Sequence, residues 1–278
     1  MKKKRIDRDT MHRILIFLIL AIAAAIIILP YLWMLSNSFK STRETLLDPS
    51  HLLPQKFTLD GYRTVLTKAP FFTWLKNSLF ITITNTCIVL FTSSLVGYIF
   101  SKFRFRGKKL LFMLLLSTMM VPVQTTMIPS FILIDAIGLY DSVWALIVPC
   151  FVNAFGIYLC KQFCDEIPRE LMESARIDGA GNFRVYISIV LPCIRPALGA
   201  LGIFTFLEYW NDYLNPLIYL TSTDNMTLPL ALSYFNSQYV TNLSATMAAS
   251  ALIMVPAAIV FILFQKQFIK GISMTGMK

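Results

Sequence analysis

The apolar stretch 196–218 contains polar side chains that could bind a solute. They are two carboxylates and two amides whose spacing puts them broadly on one face of a helix: Glu208, Asn211, Asp212 and Asn215. Aromatic residues lie among them, at Tyr209, Trp210 and Tyr213. Aromatic rings stack on the apolar faces of sugars, and amides and carboxylates supply the donors and acceptors that hydroxyl groups need. The pattern therefore fits a polar stripe along a solute pathway, or else the aromatic belt of a helix end at the membrane–water interface.

A second set of residues, in segment 162–191, has the pattern of an ordered structure rather than a loose connector. Residues 167–178 predict a short helix. Pro168 suits its first turn, where no amide donor is needed. Glu170 lies where the helix dipole favours a negative charge.

The residues after this helix predict a tight turn and a second helix. Gly179 and Gly181 can adopt the left-handed conformation that ends a helix. Asn182 could then cap a second short helix that ends at Pro192. We therefore expect a helix–turn–helix. The alternative is an amphipathic connector that lies on anionic lipid headgroups through its arginines: Arg169, Arg176 and Arg184.

The composition places most of the chain in lipid. Hydrophobic residues make up 56% of its 278 residues and charged residues 14%. A soluble domain carries about 25% charged residues because its surface faces water. The net charge of +10 is concentrated between apolar runs, which membrane topology requires and which argues against nucleic acid as a partner.

Six apolar stretches are long enough to cross a bilayer, which takes roughly 20 helical residues. We predict an all-α membrane protein with spans near 14–35, 78–100, 110–134, 142–160, 196–218 and 245–264. Pro122 and Pro129 should kink the third span. A basic cluster precedes the first span, as in a secretory signal, but no small-residue cleavage site follows it. We therefore expect an uncleaved first span.

The distribution of Lys and Arg predicts that both chain ends lie in the cytoplasm. Six precede the first span, five lie between the second and third, five lie from Lys161 to Arg195, and three follow the last span. The loop Ser36–Asn77 holds the other six, and it is long enough to escape the charge bias. Segment 162–191 is then a cytoplasmic loop. The predicted divisions are a cytoplasmic N-terminus, a transmembrane domain and a cytoplasmic tail: 1–13, 14–267 and 268–278.

One string within segment 162–191 resembles a known motif. It is Glu173-Ser174-Ala175-Arg176-Ile177-Asp178-Gly179-Ala180, followed by Ile189-Val190-Leu191-Pro192. It resembles the EAA loop of binding-protein-dependent ABC importer permeases, whose pattern is E-A-A-x-x-D-G-A and then I-x-L-P. Ser174 replaces an Ala of that pattern, one small residue for another. The resemblance identifies these as ATPase-coupling residues: Glu173, Ser174, Ala175, Asp178, Gly179, Ala180, Leu191 and Pro192.

The resemblance extends over most of the chain and is closest to the second permease subunit of maltose-type importers. Residues 30–40, which include Ser38-Phe39-Lys40, resemble the end of the first span in the carbohydrate branch. Residues 136–146 and 209–217 are also similar. The tail 271–278 is similar only loosely, because its second Gly stands one place late.

The resemblance implies a mechanism in which another protein moves segment 162–191. In that family the loop helix docks into a groove of a separate ATP-hydrolysing subunit and transmits its closure to the spans. The chain would form half of a translocation pathway for a sugar or oligosaccharide in a bacterial or archaeal cell membrane. Its partners would be a second homologous permease, two ATP-binding subunits and an extracytoplasmic solute-binding protein. Glu173 and Asp178 would accept charge-assisted hydrogen bonds from the ATPase, and residues 221–242 would contact the solute-binding protein or form a plain solvated connector.

Motifs for chemistry on this chain itself are missing from the sequence. Gly107-Lys108 is followed by Lys109 and lacks the upstream Gly of a P-loop, so we expect no cofactor here and ATP with Mg²⁺ on the partner ATPase. No metal site is predicted, because no His lies near Cys160 and Cys164. His-Glu-x-x-His and Gly-x-Ser-x-Gly are absent, which disfavours an enzyme. An ATP-independent secondary transporter or channel is the alternative, but it would leave the loop string without a role.

Overall fold

The computed structural model describes residues 8–48, 50–238 and 242–275, and the regular structure within these ranges is entirely helical. The α-helices are α1 (Arg8–Ser38), α2 (Thr42–Leu47), α3 (Asp60–Lys68), α4 (Phe71–Lys102), α5 (Lys108–Thr118), α6 (Val123–Ala136), α7 (Trp144–Ile147), α8 (Ala154–Asp165), α9 (Arg169–Ile177), α10 (Asn182–Val185), α11 (Leu191–Cys193), α12 (Arg195–Trp210), α13 (Leu214–Tyr219), α14 (Leu228–Gln238) and α15 (Leu243–Thr275). Val148–Phe151 and Thr223–Asn225 are 3-10 turns, and Tyr186–Val190 is π-helical. Of the predicted cytoplasmic ends, residues 1–7 and 276–278 lie outside the described ranges.

Several of these helices are long and apolar enough to cross a membrane. Within the described ranges, the candidates without a sharp bend are Met11–Ser38, Phe71–Lys102, Trp144–Asp165 and Leu243–Gln265. Two bent pairs would each make one further crossing: α5 with α6, bent by 101°, and the helical run Asn182–Cys193 with α12, bent by 78°. The prediction of an all-α chain with several membrane-crossing helices is confirmed, and a total of six spans stays a prediction.

The break in the third stretch lies at the first of its two prolines. α5 ends at Thr118, and α6 begins directly after Pro122. Pro122 has extended backbone (φ −60°, ψ 135°) and lacks the N–H that a continuous helix would need there. The sequence predicted a kink, and the structure has a complete break. Pro129 lies inside α6, which continues past it.

The fifth stretch differs from its prediction, because residues 196–218 do not form one helix. α12 ends at Trp210, and α13 begins only at Leu214. Pro216 explains the interruption. It has no backbone N–H, and in a continuous helix its ring would clash with the carbonyl of Asp212 four residues earlier. Pro216 is visible in the sequence, but a proline by itself does not predict a break, since α6 continues past Pro129.

The fourth stretch is interrupted as well, between its 3-10 turn and α8. Val152 and Asn153 have extended backbone there. The side-chain amides of Asn85, which is buried, and Asn153, which is half-buried, form hydrogen bonds with backbone groups near the break. Asn85 of α4 donates from Nδ2 to the carbonyl oxygen of Leu146 at 3.0 Å, and Asn153 Oδ1 accepts from the N–H of Gly156 at 2.7 Å. A break at membrane depth is tolerated where neighbouring side chains satisfy it in this way.

The described residues belong to two compact units. Unit one takes its residues from 1–69 and 232–254, and unit two from 70–231 and 255–278. In unit two, α4 packs along α8 and α12. Gly97 allows the close approach of α4 to α8, because a Cβ at that position would lie 2.8 Å from the Cβ of Cys160. The coupling and pathway residues predicted above all lie in unit two.

Unit one contains the Ser38-Phe39-Lys40 stretch, whose polar side chains are buried. Ser38 and Lys40 have no exposed surface. The Lys40 ammonium donates to the carbonyl oxygen of His51 at 2.5 Å, and the Ser244 hydroxyl donates to the carbonyl oxygen of Lys40 at 2.7 Å. The bond from Ser244 ties the residues after α1 to the start of α15, so the stretch has a structural role in this unit.

Candidate functional site

Segment 162–191 contains two helical arms joined by a short turn. The first arm is α9, and the second runs without interruption from Asn182 to Cys193. Gly181 is the residue that precedes the second arm, and its φ of −68° is ordinary rather than left-handed. Asn182 is the first helical residue and not the cap that the sequence suggested. Its Oδ1 instead accepts a hydrogen bond from Arg176 Nη2 at 3.2 Å, which joins the two arms.

The turn owes its shape to Gly179, which has a φ of +81°. The N–H of Gly179 donates to the carbonyl oxygen of Arg176 at 3.0 Å, and the N–H of Ala180 donates to that of Ala175 at 2.9 Å. This pair of bonds is the Schellman motif, which satisfies carbonyl groups that a helix end leaves without partners. Any other residue type would be strained in this conformation. The Asp178-Gly179-Ala180 string therefore specifies a stiff turn.

The inward face of the segment is buried against the ends of α4 and α8. The buried cluster takes residues from all these elements: Tyr98, Cys164, Ile167, Met172, Val185, Tyr186, Val190 and Ile194. Ala175, Ala180 and Leu191 pack against the edge of this cluster. The resemblance to the EAA loop makes Ala175 an ATPase-coupling residue. In the structure its side chain contacts the protein's own scaffold, as do those of Ala180 and Leu191.

Polar contacts also hold segment 162–191 on α4. The hydroxyl oxygens of Ser94 and Tyr186 lie 2.7 Å apart in a buried hydrogen bond. The rings of Tyr98 and Tyr186 are stacked with their centroids 5.8 Å apart. The ammonium of Lys102 donates to the carbonyl oxygen of Ile167 at 2.6 Å, just before α9. Sequence reasoning missed these residues, and nothing local to α4 pointed to partners so distant in the chain.

The outward face presents carboxylates beside apolar side chains. The motif residues exposed there are Glu173, Ser174, Asp178, Gly179 and Pro192. Ile177 is 86% exposed and Leu171 48% exposed. Adjacent apolar and charged side chains on a helix that is held rigidly from behind form a suitable surface for binding another protein.

The four polar residues of stretch 196–218 do not share one helix face. Glu208 is exposed near the end of α12, and Asn211 follows that end, where its Nδ2 donates to the carbonyl oxygen of Leu207 at 2.8 Å. The Asp212 carboxylate accepts from the N–H and the Nδ2 of Asn215, at 3.2 and 2.9 Å. Such local bonds compete with a continuous helix. Asp212 and Asn215 thus organise the start of α13, while Glu208 and Asn211 are exposed.

A carboxylate between α6 and α7 forms a cluster that sequence reasoning missed. Asp141 has a φ of +54°. Its carboxylate accepts from the backbone N–H groups of Thr221 and Ser222, both at 2.9 Å, and from the Ser222 hydroxyl. Asn225 Nδ2 donates to the carbonyl oxygen of Asp141 at 2.5 Å. Partial burial would raise the pKa of Asp141, but the hydrogen bonds from Ser222, Thr221 and Asn225 outweigh it and lower that pKa from 3.8 to about 2.

The beginning of α4 holds the same segment from another side. Trp74 Nε1 donates to the carbonyl oxygen of Thr223 at 2.7 Å. Asn77 Nδ2 donates to those of Asp224, at 2.7 Å, and Met226, at 3.1 Å. Residues 221–226 are therefore an ordered surface in this part of the chain rather than a loose connector.

These features together define a class of protein. α4 is long and apolar enough to cross a membrane. Segment 162–191, with its two helical arms, packs on the last turns of α4. Residues 221–226 are hydrogen-bonded to its first turns. Within the described residues, no group of His, Cys, Asp and Glu could hold a metal ion. The class is a multispanning membrane protein with a rigid two-helix loop packed on the end of one candidate span.

The chain belongs to the family described as binding-protein-dependent transport system inner membrane component, and a model of that family matches residues 90–274. A putative ABC transporter permease protein, ORF2 of Caldicellulosiruptor sp. (strain Rt8B.4), is 36% identical over 94% of this chain and 96% of its own length. The arabinooligosaccharides transport system permease protein AraQ of Bacillus subtilis (strain 168) is 33% identical over 97% of each chain.

A solved structure shares the fold. It is a bacterial ABC transporter involved in the import of the acidic polysaccharide alginate, with a TM-score of 0.83 and 25% identity, covering 96% of this chain and 100% of the matched chain. The family predicted from the loop string is thereby confirmed. The chain is a permease subunit of an ABC importer, a transport component and not an enzyme.

Proposed function

We propose that this permease forms half of the translocation pathway for a sugar or an oligosaccharide. The relative from Bacillus subtilis is named for the transport of arabinooligosaccharides, and the solved structure is of an importer of alginate. The similarity extends over nearly the whole of each chain, which favours a shared class of solute. Glu208 and Asn211, the exposed polar residues near the end of α12, are the side chains that we assign to the pathway.

The membrane arrangement belongs to the same proposal. Counting each bent pair as one crossing gives six spans with both chain ends in the cytoplasm, and the distribution of Lys and Arg supports this orientation. α9 and its turn then lie on the cytoplasmic side, and residues 221–226 lie outside, where they would meet the solute-binding protein. The membrane is that of a bacterial or archaeal cell.

Coupling to ATP rests on one observation: segment 162–191 is exposed on one face and buried on the ends of α4 and α8 on the other. The exposed face would bind an ATP-hydrolysing subunit, with Glu173 and Asp178 accepting hydrogen bonds from its basic groups. Movement of α9 would pass through the stiff turn at Gly179 and the buried contacts of Tyr186 into α4. This chain would bind no cofactor, and ATP with Mg²⁺ would be bound by the partner.

The assembled transporter supplies the test of this coupling. It would contain this chain, a second homologous permease, two ATPase subunits and the solute-binding protein, reconstituted in vesicles that hold ATP. We expect Asp178→Lys to abolish uptake of a labelled oligosaccharide while the subunits still assemble, because the substitution reverses the charge at the contact. Asp135→Lys, at an exposed position near the end of α6 and outside both segment 162–191 and residues 221–226, is the matched control for charge reversal. Normal uptake by the Asp178→Lys transporter would contradict the coupling assignment.

Labelling with a membrane-impermeant maleimide tests the orientation. Cys87 and Cys193 are exposed, so Glu173→Cys is placed in a Cys87→Ser and Cys193→Ser background. We expect inverted vesicles to be labelled and intact cells to be protected. Labelling from outside the cell would overturn the proposed orientation.

A further inference from the structure

A cavity of about 740 Å³ lies beside the beginning of α5 and the last turns of α8. It is separate from the coupling motif and from the pathway residues. Three cations line it, namely Lys108, Lys109 and Lys161. Apolar side chains form much of the remaining wall: Phe105, Leu110, Phe112 and Met113. The cavity therefore combines positive charge with an apolar surface.

Two of these cations are held in place by the protein. The Lys161 ammonium lies 2.6 Å from the Asp165 carboxylate and 5.0 Å from the ring centroid of Phe112. The Lys108 ammonium donates to the carbonyl oxygens of Ser101 and Phe103, at 3.2 and 3.0 Å. Rigid placement of these two ammonium groups keeps positive charge at the wall of the cavity.

Other cations at this site are exposed. Lys109 lines the cavity, and Arg106 stands in the chain between the lining residues Phe105 and Gly107. Arg104 is exposed nearby in the sequence. In the part of the chain that the structure describes, Asp165 is the carboxylate that forms an ion pair with this group of five cations. The site thus carries a large excess of positive charge.

The apolar wall decides which anion suits this charge. Inorganic phosphate would pair with the cations and make no contact with Leu110, Phe112 and Met113. A phospholipid matches both parts, because its phosphate pairs with Lys and Arg while its acyl chain covers apolar side chains. α5 also exposes Leu111 and Leu114, as a helix does where it enters lipid.

We propose that this cavity is a binding site for an anionic phospholipid. The headgroup phosphate contacts Lys109 and Arg106, and an acyl chain lies against Leu110, Phe112 and Met113. Asp165, which pairs with Lys161, also accepts a hydrogen bond from the Ser101 hydroxyl at 2.6 Å. The lipid therefore lies beside the contacts that hold the α8–α9 junction on α4.

The assembled transporter, purified in detergent and stripped of loosely held lipid, is the material for the test. It is incubated with phosphatidylglycerol or with phosphatidylcholine, and native mass spectrometry measures the lipid retained per complex. The test variant is Arg106→Gln with Lys109→Gln. The control is Arg63→Gln with Lys68→Gln, which removes one exposed Arg charge and one exposed Lys charge from α3.

We expect the unaltered transporter and the α3 control to retain phosphatidylglycerol in preference to phosphatidylcholine, and the test variant to lose that preference by on the order of tenfold. Equal retention of the two lipids by the unaltered transporter would overturn the proposal, and so would an undiminished preference in the test variant. Displacement of phosphatidylglycerol by inorganic phosphate would identify a simple anion site and would also overturn it. Loss of the ATPase subunit from the test variant would assign the cavity to a protein partner instead.

Discussion

The carboxylate of Asp141 holds the backbone of Ser222, a residue 81 positions further along the chain, through an N–H to Oδ1 hydrogen bond of 2.9 Å. The backbone of Asp141 takes part as well, since its N–H donates to the carbonyl oxygen of Tyr219 at 2.9 Å. One side chain and its own peptide group thus connect the α6–α7 link to the last residue of α13 and to the segment that follows it. Trp74 donates a hydrogen bond to the carbonyl oxygen of Thr223 in the same segment, which connects it to α4 as well.

Replacing Asp141 should release that segment. We expect Asp141→Ala to speed amide hydrogen exchange at Thr221 and Ser222 by roughly tenfold, because a hydrogen bond to a charged acceptor contributes about 1.5 kcal/mol or more. Asp141→Asn keeps an acceptor oxygen and should have a smaller effect. Asp224→Asn is the control, an exposed Asp in the same segment. Unchanged exchange in the Asp141→Ala protein would contradict the prediction, because the remaining hydrogen bonds of the segment would then protect these amides without Asp141.

The lowered pKa of Asp141 predicts how the protection of the Thr221 and Ser222 amides depends on pH. Since the pKa of Asp141 is lowered to about 2, its stabilising effect is complete above the ordinary value of 3.8 and is lost as the pH falls through about 2. Protection of the Thr221 and Ser222 amides, corrected for intrinsic exchange rates, should stay constant from about pH 8 to about pH 5 and decline only in strong acid. Loss of protection near neutral pH would contradict the assignment of this pKa.

The turn after α9 allows a matched pair of glycine substitutions. A Cβ would meet no atom within 4 Å at Gly179 or at Gly181, so sterics do not separate them. The two positions differ in backbone conformation, with φ of +81° at Gly179 and −68° at Gly181. Gly179→Ala should therefore strain the turn by about 1–2 kcal/mol and lower solute-stimulated ATP hydrolysis by the transporter, whereas Gly181→Ala should leave it unchanged. Equal activities in the two variants would exclude a stiff turn as the means of coupling.

The hydrogen bond between Ser94 and Tyr186 can be isolated by a double-mutant cycle. Tyr186→Phe should reduce the free energy of unfolding by about 1 kcal/mol, because it leaves the buried Ser94 hydroxyl without this partner. If the contact also carries motion into α4, ATP hydrolysis should become less dependent on the loaded solute-binding protein. Tyr158→Phe on α8 is the control. Additive effects of Ser94→Ala and Tyr186→Phe would mean that the two side chains do not interact energetically.

Local properties of the sequence determined the class and the family of this protein. Apolar stretches of membrane-crossing length predict helices in lipid because hydrocarbon offers the backbone no hydrogen-bond partners. The turn at Gly179 was predictable for a similar reason, since its conformation depends on one residue and the helix before it. The break before α13 was not predictable from Pro216 alone, because Pro129 lies inside α6 without ending that helix.

Tertiary structure decided which side chains meet. Ser94 and Tyr186 are 92 positions apart, and Asp141 and Ser222 are 81 apart. Neither pair has a signature in its own stretch of sequence, because a hydrogen-bond partner is selected by how whole helices pack and not by neighbours along the chain. The same holds for Ala175 and Ala180, whose small side chains suit either a partner or a scaffold. Only the packing of α9 on the ends of α4 and α8 shows that they contact the scaffold.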